Sequence, residues 1–425
     1  MSRAMLATTS STQPQASPVA ARAGQPAKPF KFFNDQTYHF QTLRALNDIP
    51  FGGADTSEVL ETIKHIRSGD PESWYAAWER TGDRVSELAY RAKDRISRGR
   101  AFLRAHNYYR TAEFLLAPTD PRRSISWNKN IRAFYDGLDT LGTKYERIRA
   151  PYGEHHLNAI YFPGPQGSET RPLIVICGGF DSTLEELYFV VVAAGLERGY
   201  SVLAYEGPGQ GSIIREQGVP FTAEWEKPTA AVLDQYLRTH SRHPKTVLIG
   251  MSMGGYLAPR AAAFDDRIDG VVAYDVFYDF GAISSRSVPR LALWLDGHGL
   301  RSLVNLIIKV KAAFSPYLKW ALQNSMWVMG TQNPIDTINA LSVYTLESVA
   351  QRITGDVLIL AGGEDHFVPA GQVKQFETSL TRARSVTTVV YDRESGGAEH
   401  CQLGASTLWH ATFFDWLTER FPQRS

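Results

Sequence analysis

Gly250-Met251-Ser252-Met253-Gly254 lies between Thr246-Val247-Leu248-Ile249, which reads as a short buried strand, and Tyr256 to Phe264, which reads as a helix. The pentapeptide fits G-x-S-x-G. Its small residues let the chain turn sharply enough to hold Ser252 in a strained conformation, with its hydroxyl exposed above a sheet. An ordinary glycine-rich turn gives the same letters by chance. The strand before the motif and Gly255 after it favour a nucleophilic serine.

Outward from this turn, short apolar runs alternate with amphipathic stretches. Tyr145 to Arg149 and Leu157 to Phe162 read as opening strands, and Leu173 to Cys177 as a continuous buried strand ending in Gly178-Gly179. Thr183 to Glu197 reads as a helix, Ser201 to Tyr205 as a strand and Pro228 to Thr239 as a helix. Beyond the serine come strands at Gly270 to Tyr274, Val357 to Leu360 and Val386 to Tyr391. Such a succession requires crossover connections, so the fold class is α/β, a mainly parallel sheet with helices on both faces.

Two further regions frame that sheet. Thr56 to Leu116 carries apolar residues at helical spacing, with Asp70-Pro71 as a helix start and Pro118-Thr119-Asp120-Pro121 as a stop. The stretch 281–345 is helical and aromatic, and an insertion at the carboxyl end of a strand is placed to cover the ligand crevice of an open α/β sheet. The expected organisation is therefore a disordered tail over 1–29, a helical domain over 30–141, sheet core over 142–280 and 346–425, and a helical lid over 281–345.

Composition excludes several classes. The chain has 425 residues, with 45 Lys and Arg against 44 Asp and Glu, so a net charge of +1 gives no global field favouring nucleic acid or an anionic membrane. The longest apolar stretch, Tyr188 to Leu196, is far shorter than the roughly 20 residues of a membrane-crossing helix. The first 28 residues lack the compact apolar block of a secretory signal. Cys177 and Cys401 make no disulfide framework, and no short-spaced Cys/His set resembles a metal site. A cytoplasmic protein without metal is expected. Aromatic residues reach 12%, with nine Trp, and suit either large cores or a pocket for a large unsaturated ligand.

A serine hydroxyl is a poor nucleophile until a base takes its proton, and a third group must orient that base. Where this motif joins a strand to a helix, the chain order is serine, acid, histidine. Asp365 falls in the loop after Val357 to Leu360, with Glu364 as its rival; the Asp-x-x-Val-Pro spacing favours Asp365. His400 follows the last strand and is the base, while His366 is read as a loop residue. Charge developing on the carbonyl oxygen needs two backbone N–H groups. Met253, next to the serine, supplies one, and Phe180, in the loop after Cys177, the other.

The stretches Gly178-Gly179-Phe180-Asp181-Ser182, Tyr205-Glu206-Gly207-Pro208-Gly209-Gln210-Gly211, Gly250 to Tyr256 and Gly397-Ala398-Glu399-His400-Cys401 together resemble the α/β-hydrolases. More narrowly, they are similar to the group with an N-terminal helical domain that includes 2,6-dihydroxypseudooxynicotine hydrolase and fungal hydrolases that shorten or release polyketides. That resemblance implies a Ser-Asp-His triad, no cofactor, a homodimer, and hydrolysis of carbon-carbon or acyl bonds in bulky ketone-like substrates, including carrier-bound polyketides. Asp275 and Asp279 follow a strand near the serine crevice. They are candidates either for protonating a departing carbanion or for anchoring the lid, and anchoring is favoured. Trp294, Trp320 and Trp327 in the lid, and the helix carrying Trp74 and Trp78, are candidates for enclosing substrate. Glu206 is read as part of a structural turn and Cys401 as buried packing.

Overall fold

The computed structural model describes residues 30–286 and 290–422. The tail expected over 1–29 lies outside the described residues. Five helices come first: α1 (Gln36–Asn47), α2 (Thr56–Ile63), α3 (Pro71–Arg91), α4 (Arg95–Glu113) and α5 (Pro121–Leu141). Each follows an aspartate, Asp35, Asp55, Asp70, Asp94 or Asp120, whose carboxylate accepts backbone N–H bonds of the first turn. Pro118 to Pro121 is thus a stop and a restart: Asp120 caps α5 and Pro121 takes its first position, where no N–H is needed.

Trp74 and Trp78 are fully buried in the core of this helical unit, and the Trp74 indole N–H donates to Thr111 O. They are core residues and do not face a ligand, which corrects the expectation for that helix.

The sheet has eight strands: β1 (Glu146–Tyr152), β2 (His155–Phe162), β3 (Leu173–Cys177), β4 (Val202–Tyr205), β5 (Thr246–Met251), β6 (Gly270–Tyr274), β7 (Asp356–Gly362) and β8 (Ser385–Tyr391), in the order β1-β2-β4-β3-β5-β6-β7-β8. The β1–β2 and β2–β4 pairs are antiparallel and the rest parallel. The α/β class read from sequence is the class observed. Strands β3 to β7 are buried throughout, as a sheet covered on both faces demands. Successive side chains alternate between two apolar layers: Leu173, Val175 and Cys177 join one, Ile174 and Ile176 the other.

Covering the sheet are α6 (Ala193–Glu197), α7 (Gly211–Gln217), α8 (Glu226–Leu237) and α9 (Gly254–Ala262). Only the end of the helix expected over Thr183 to Glu197 forms as α6, entered through a π-helical turn at Tyr188–Val192. Upstream, Glu186 binds the Thr183 N–H and the Ser182 hydroxyl, and these local bonds compete with a regular helix. Between β6 and β7 the chain inserts α10 (Phe280–Arg286), α11 (Arg290–Gly297), α12 (Arg301–Ala313), α13 (Pro316–Val328) and α14 (Pro334–Leu341); α15 (Gly371–Ser379) and α16 (Ser406–Arg420) complete the chain. No helix among the described residues is long and apolar enough to cross a membrane.

Candidate active site

The turn after β5 holds Ser252 at φ 60°, a left-handed conformation that a non-glycine residue adopts only under constraint. Ser252 N–H donates to Tyr274 O at 2.5 Å and Gly255 N–H to Ser252 O at 2.7 Å, which closes the turn. Gly250 is required: a Cβ there would lie 1.9 Å from Gly254 O.

Across the carboxyl edge of the sheet, His400 Nε2 stands 2.8 Å from Ser252 Oγ, and His400 Nδ1 stands 2.6 Å from Asp365 Oδ2. The other Asp365 oxygen accepts N–H bonds from Phe367 at 2.7 Å and Val368 at 2.9 Å. Burial works against a charge on Asp365, but His400 and these N–H groups outweigh it and hold the carboxyl below its usual range. Burial likewise disfavours the imidazolium, yet the Asp365 carboxylate raises the His400 pKa well above the ordinary histidine value. An imidazole so oriented is able to take the serine proton and retain it. Glu364 instead pairs with Arg393 at the surface, and His366 with Glu399 at 3.6 Å.

Gly179 brings the loop after β3 against this centre: a Cβ on it would lie 2.7 Å from Ser252 Cβ and 3.1 Å from Met253 N. Among the described residues, the N–H groups of Met253 and Phe180 donate to no other residue. Both border the same turn, where a developing oxyanion would need donors.

Asp275 and Asp279 both make anchoring contacts. Asp275 is wholly buried and accepts from Cys401 N–H at 2.6 Å, Gly362 N–H at 3.1 Å and the Gln402 amide at 3.3 Å, with Oδ2 3.4 Å from His400 Nδ1. It anchors the histidine loop, in which Cys401 and Gln402 both adopt positive φ. Burial and the nearby Asp365 push its carboxyl up to about 7. The Asp279 carboxylate accepts the Ala282 N–H in the first turn of α10, and its backbone bridges Thr345 at the far end of the insertion. Asp279 is thus an anchor for the insertion. Asp275, His400 and Cys401 place potential metal ligands within 4.8 Å of one another, but His400 Nδ1 is committed to Asp365 and Asp275 to the Cys401 N–H. That donor set suits a hydrogen-bonded loop better than a metal.

The tryptophans divide. Trp294 is 56% exposed and packs on His298, because its helix turns that face to the surface among the described residues. Trp320 donates its indole N–H to Phe114 O at 2.6 Å and packs on the Phe114 ring. Trp327 lies against Arg123 and Arg215, and with Trp320 and Phe180 it lines a cavity between the helical unit, the insertion and the loop after β3.

Sequence reasoning missed four positioning residues. Gln210 donates to Gly178 O at 2.8 Å and Gly179 O at 2.9 Å, fixing the loop of Phe180; its place in Glu-Gly-Pro-Gly-Gln-Gly was the available signal. Arg44 binds Asp181 at 3.0 Å and Glu186 at 2.7 Å, Arg110 stands 3.5 Å from Glu186, and Phe40 packs near the rings of His366, Phe367 and His400. Nothing local marks these three. Glu206 accepts from Ser212 within its turn, as a structural residue does.

The family model for the alpha/beta hydrolase family matches residues 173–403. The chain is 32% identical over 421 residues to the hydrolase acrC of Aspergillus aculeatus, covering 92% of this chain and 98% of that one. It is 31% identical over 413 residues to the 20-hydroxy-prefusarin hydrolase of Gibberella moniliformis, with the same coverage. Among solved structures it is similar to 2,6-dihydroxy-pseudo-oxynicotine hydrolase, with TM-score 0.69 at 19% identity, covering 88% of this chain and 95% of that one. The chain belongs to the α/β-hydrolase family and is an enzyme of that family.

Proposed function

We propose that this enzyme is a serine hydrolase that cleaves a carbon-carbon bond of the β-diketone type, or an acyl bond, in a bulky polyketide-like substrate of secondary metabolism. The observation that carries the reading is the continuous hydrogen-bonded line from Ser252 Oγ through His400 to Asp365. Ser252 Oγ attacks a carbonyl carbon while His400 Nε2 takes its proton, and the N–H groups of Met253 and Phe180 receive the oxyanion. The bond to the neighbouring carbon then breaks, its electron pair leaving as an enolate that His400 protonates. Water, deprotonated by His400, releases the acyl group as a carboxylic acid and restores Ser252. A polyketide-like substrate agrees with the relative named as a 20-hydroxy-prefusarin hydrolase. The insertion α10–α14 acts as a lid, with Trp320 and Trp327 rather than Trp294 on its inner side. The same proposal includes a homodimer, to be read from the mass in solution.

Parallel assays with an aryl ester and a β-diketone test the reaction class. Turnover of both, abolished in Ser252→Ala, is expected. Ester turnover alone would leave a carboxylesterase or thioesterase using the same three residues, and diketone turnover that survives Ser252→Ala would remove the acyl-enzyme.

A further inference from the structure

The cavity beside Phe180 has a volume of about 20 Å³ and is lined by Arg110, Arg123, Arg215, Glu113, Asp181 and Thr183, with aromatic walls. Both oxygens of Glu113 and one oxygen of Asp181 are already engaged. Glu113 accepts from Arg123 Nε at 2.6 Å and from Arg215 Nη2 at 2.6 Å, and Asp181 is taken by Arg44. The groups left over are Arg110 Nε, Arg123 Nη1, Arg215 Nε and the Thr183 hydroxyl, all buried and without a hydrogen-bond partner among the described residues.

All four can donate, and the three guanidinium N–H groups can only donate. Water would accept from some of them but would bring two hydrogens of its own to be satisfied, whereas a carboxylate offers acceptors alone. Charge points the same way. Around the cavity and the adjoining loop, four guanidinium groups, Arg44, Arg110, Arg123 and Arg215, meet three carboxylates, Glu113, Asp181 and Glu186. Asp48 near Arg110 and Arg44 and Glu206 near Arg215 are further acids, but burial pushes each pKa up to about 7, so they offset the excess only in part. A buried, uncompensated positive charge is costly unless an anion joins it. A water needs roughly 10–15 Å³, so the space admits one group of that size, such as one oxygen of a carboxylate entering from the rim.

We propose that this cavity is a subsite for a carboxylate carried by the substrate, held by Arg123, Arg215, Arg110 and Thr183 while the scissile carbonyl lies at Ser252. The inference deepens the serine-hydrolase reading and rests on it for the orientation of the substrate. It makes the substrate class an acyl compound with a free acid group.

The test uses the full chain bearing Ser252→Ala, which removes turnover, titrated calorimetrically with a graded series of straight-chain dicarboxylic acid mono-nitrophenyl esters and with the matching methyl esters. At one chain length the acid should bind about tenfold or more tightly than its methyl ester. Adding Arg123→Gln should bring the two affinities together, and Thr183→Val, which leaves the Glu113 pairs intact, should narrow the gap. Equal affinities at every length, no measurable binding of either series, or a preference that survives both variants would overturn the subsite. In parallel, a neutral fluorophosphonate is applied to the chain carrying its serine. Failure to label Ser252 removes the nucleophile reading, whereas labelling together with equal affinities removes the subsite alone.

Discussion

The sheet and the seam between it and its helical cover are held in opposite ways, although each layer has an apolar core of its own. Strands β3 to β7 are apolar on both faces and hold the turn of Ser252 and the loop of Asp365 by backbone pairing, while the loop of His400 follows β8. The cover meets the loop after β3 through the buried ion pairs of Arg44 with Asp181 and Glu186, and meets α7 through Arg215 with Glu113, which Arg123 of α5 also binds. Apolar burial is tolerant of exchange, whereas a buried ion pair is intolerant of losing one partner. On the proposed function, the difference gives the acyl chemistry to the sheet, and alignment of the loop and choice of substrate to the cover.

The largest effect expected is on the sheet side. His400→Ala should lower kcat/KM by about 10³-fold or more with folding retained, measured by steady-state turnover and circular dichroism. A larger loss in His366→Ala would move the base to the wrong loop and break the comparison.

Next comes the cover. Arg44→Ala leaves Glu186 buried beside Arg110 alone and should destabilise the protein by about 3 kcal/mol in denaturant unfolding. Burial opposes a charge on Glu186, but Arg44 and Arg110 outweigh it and bring its carboxyl down to about 2. Its stabilisation is therefore complete above the ordinary glutamate value of 4.5 and is lost as pH falls toward about 2. That acid limb should be weaker in Arg44→Ala, and an unchanged limb would mean that the pair contributes nothing.

A smaller effect is expected from the loop behind the histidine. The base must be neutral to act, so kcat/KM should rise with pH through a midpoint above 6.5, the ordinary histidine value from which Asp365 raises it. Asp275→Asn removes a second carboxylate 3.4 Å from Nδ1 and should move that midpoint down, by roughly one pH unit or less. An upward shift would contradict the positioning role.

The smallest effect separates the tryptophans. Trp327→Ala should alter the ranking among long substrates, whereas Trp294→Ala should leave both activity and stability unchanged within about 0.5 kcal/mol. Equal losses from both would return the insertion to a packing role.

What could be read from the sequence follows the same division. Apolar period and turn chemistry are local, so the strands, the serine turn and the loops of Asp365 and His400 were visible in letters alone. Asp275 was visible as an anchor, but of the lid rather than of the histidine loop, because its partners Gly362, Cys401 and Gln402 lie far along the chain. Arg44 and Asp181 are 137 residues apart in sequence, and nothing in either neighbourhood marks the other as a partner. The aromatic residues misled for a related reason: spacing locates a helix face but does not say whether that face meets a core, as at Trp74 and Trp78, or solvent, as at Trp294.

Covalent labelling of the intact chain by a fluorophosphonate, located by peptide mass, tests the central claim most directly. One label on Ser252, formed quickly in the unmodified chain and strongly slowed in His400→Ala and Asp365→Ala, is the predicted result. Labelling of another residue, or a rate at Ser252 unchanged by loss of His400, would contradict the account.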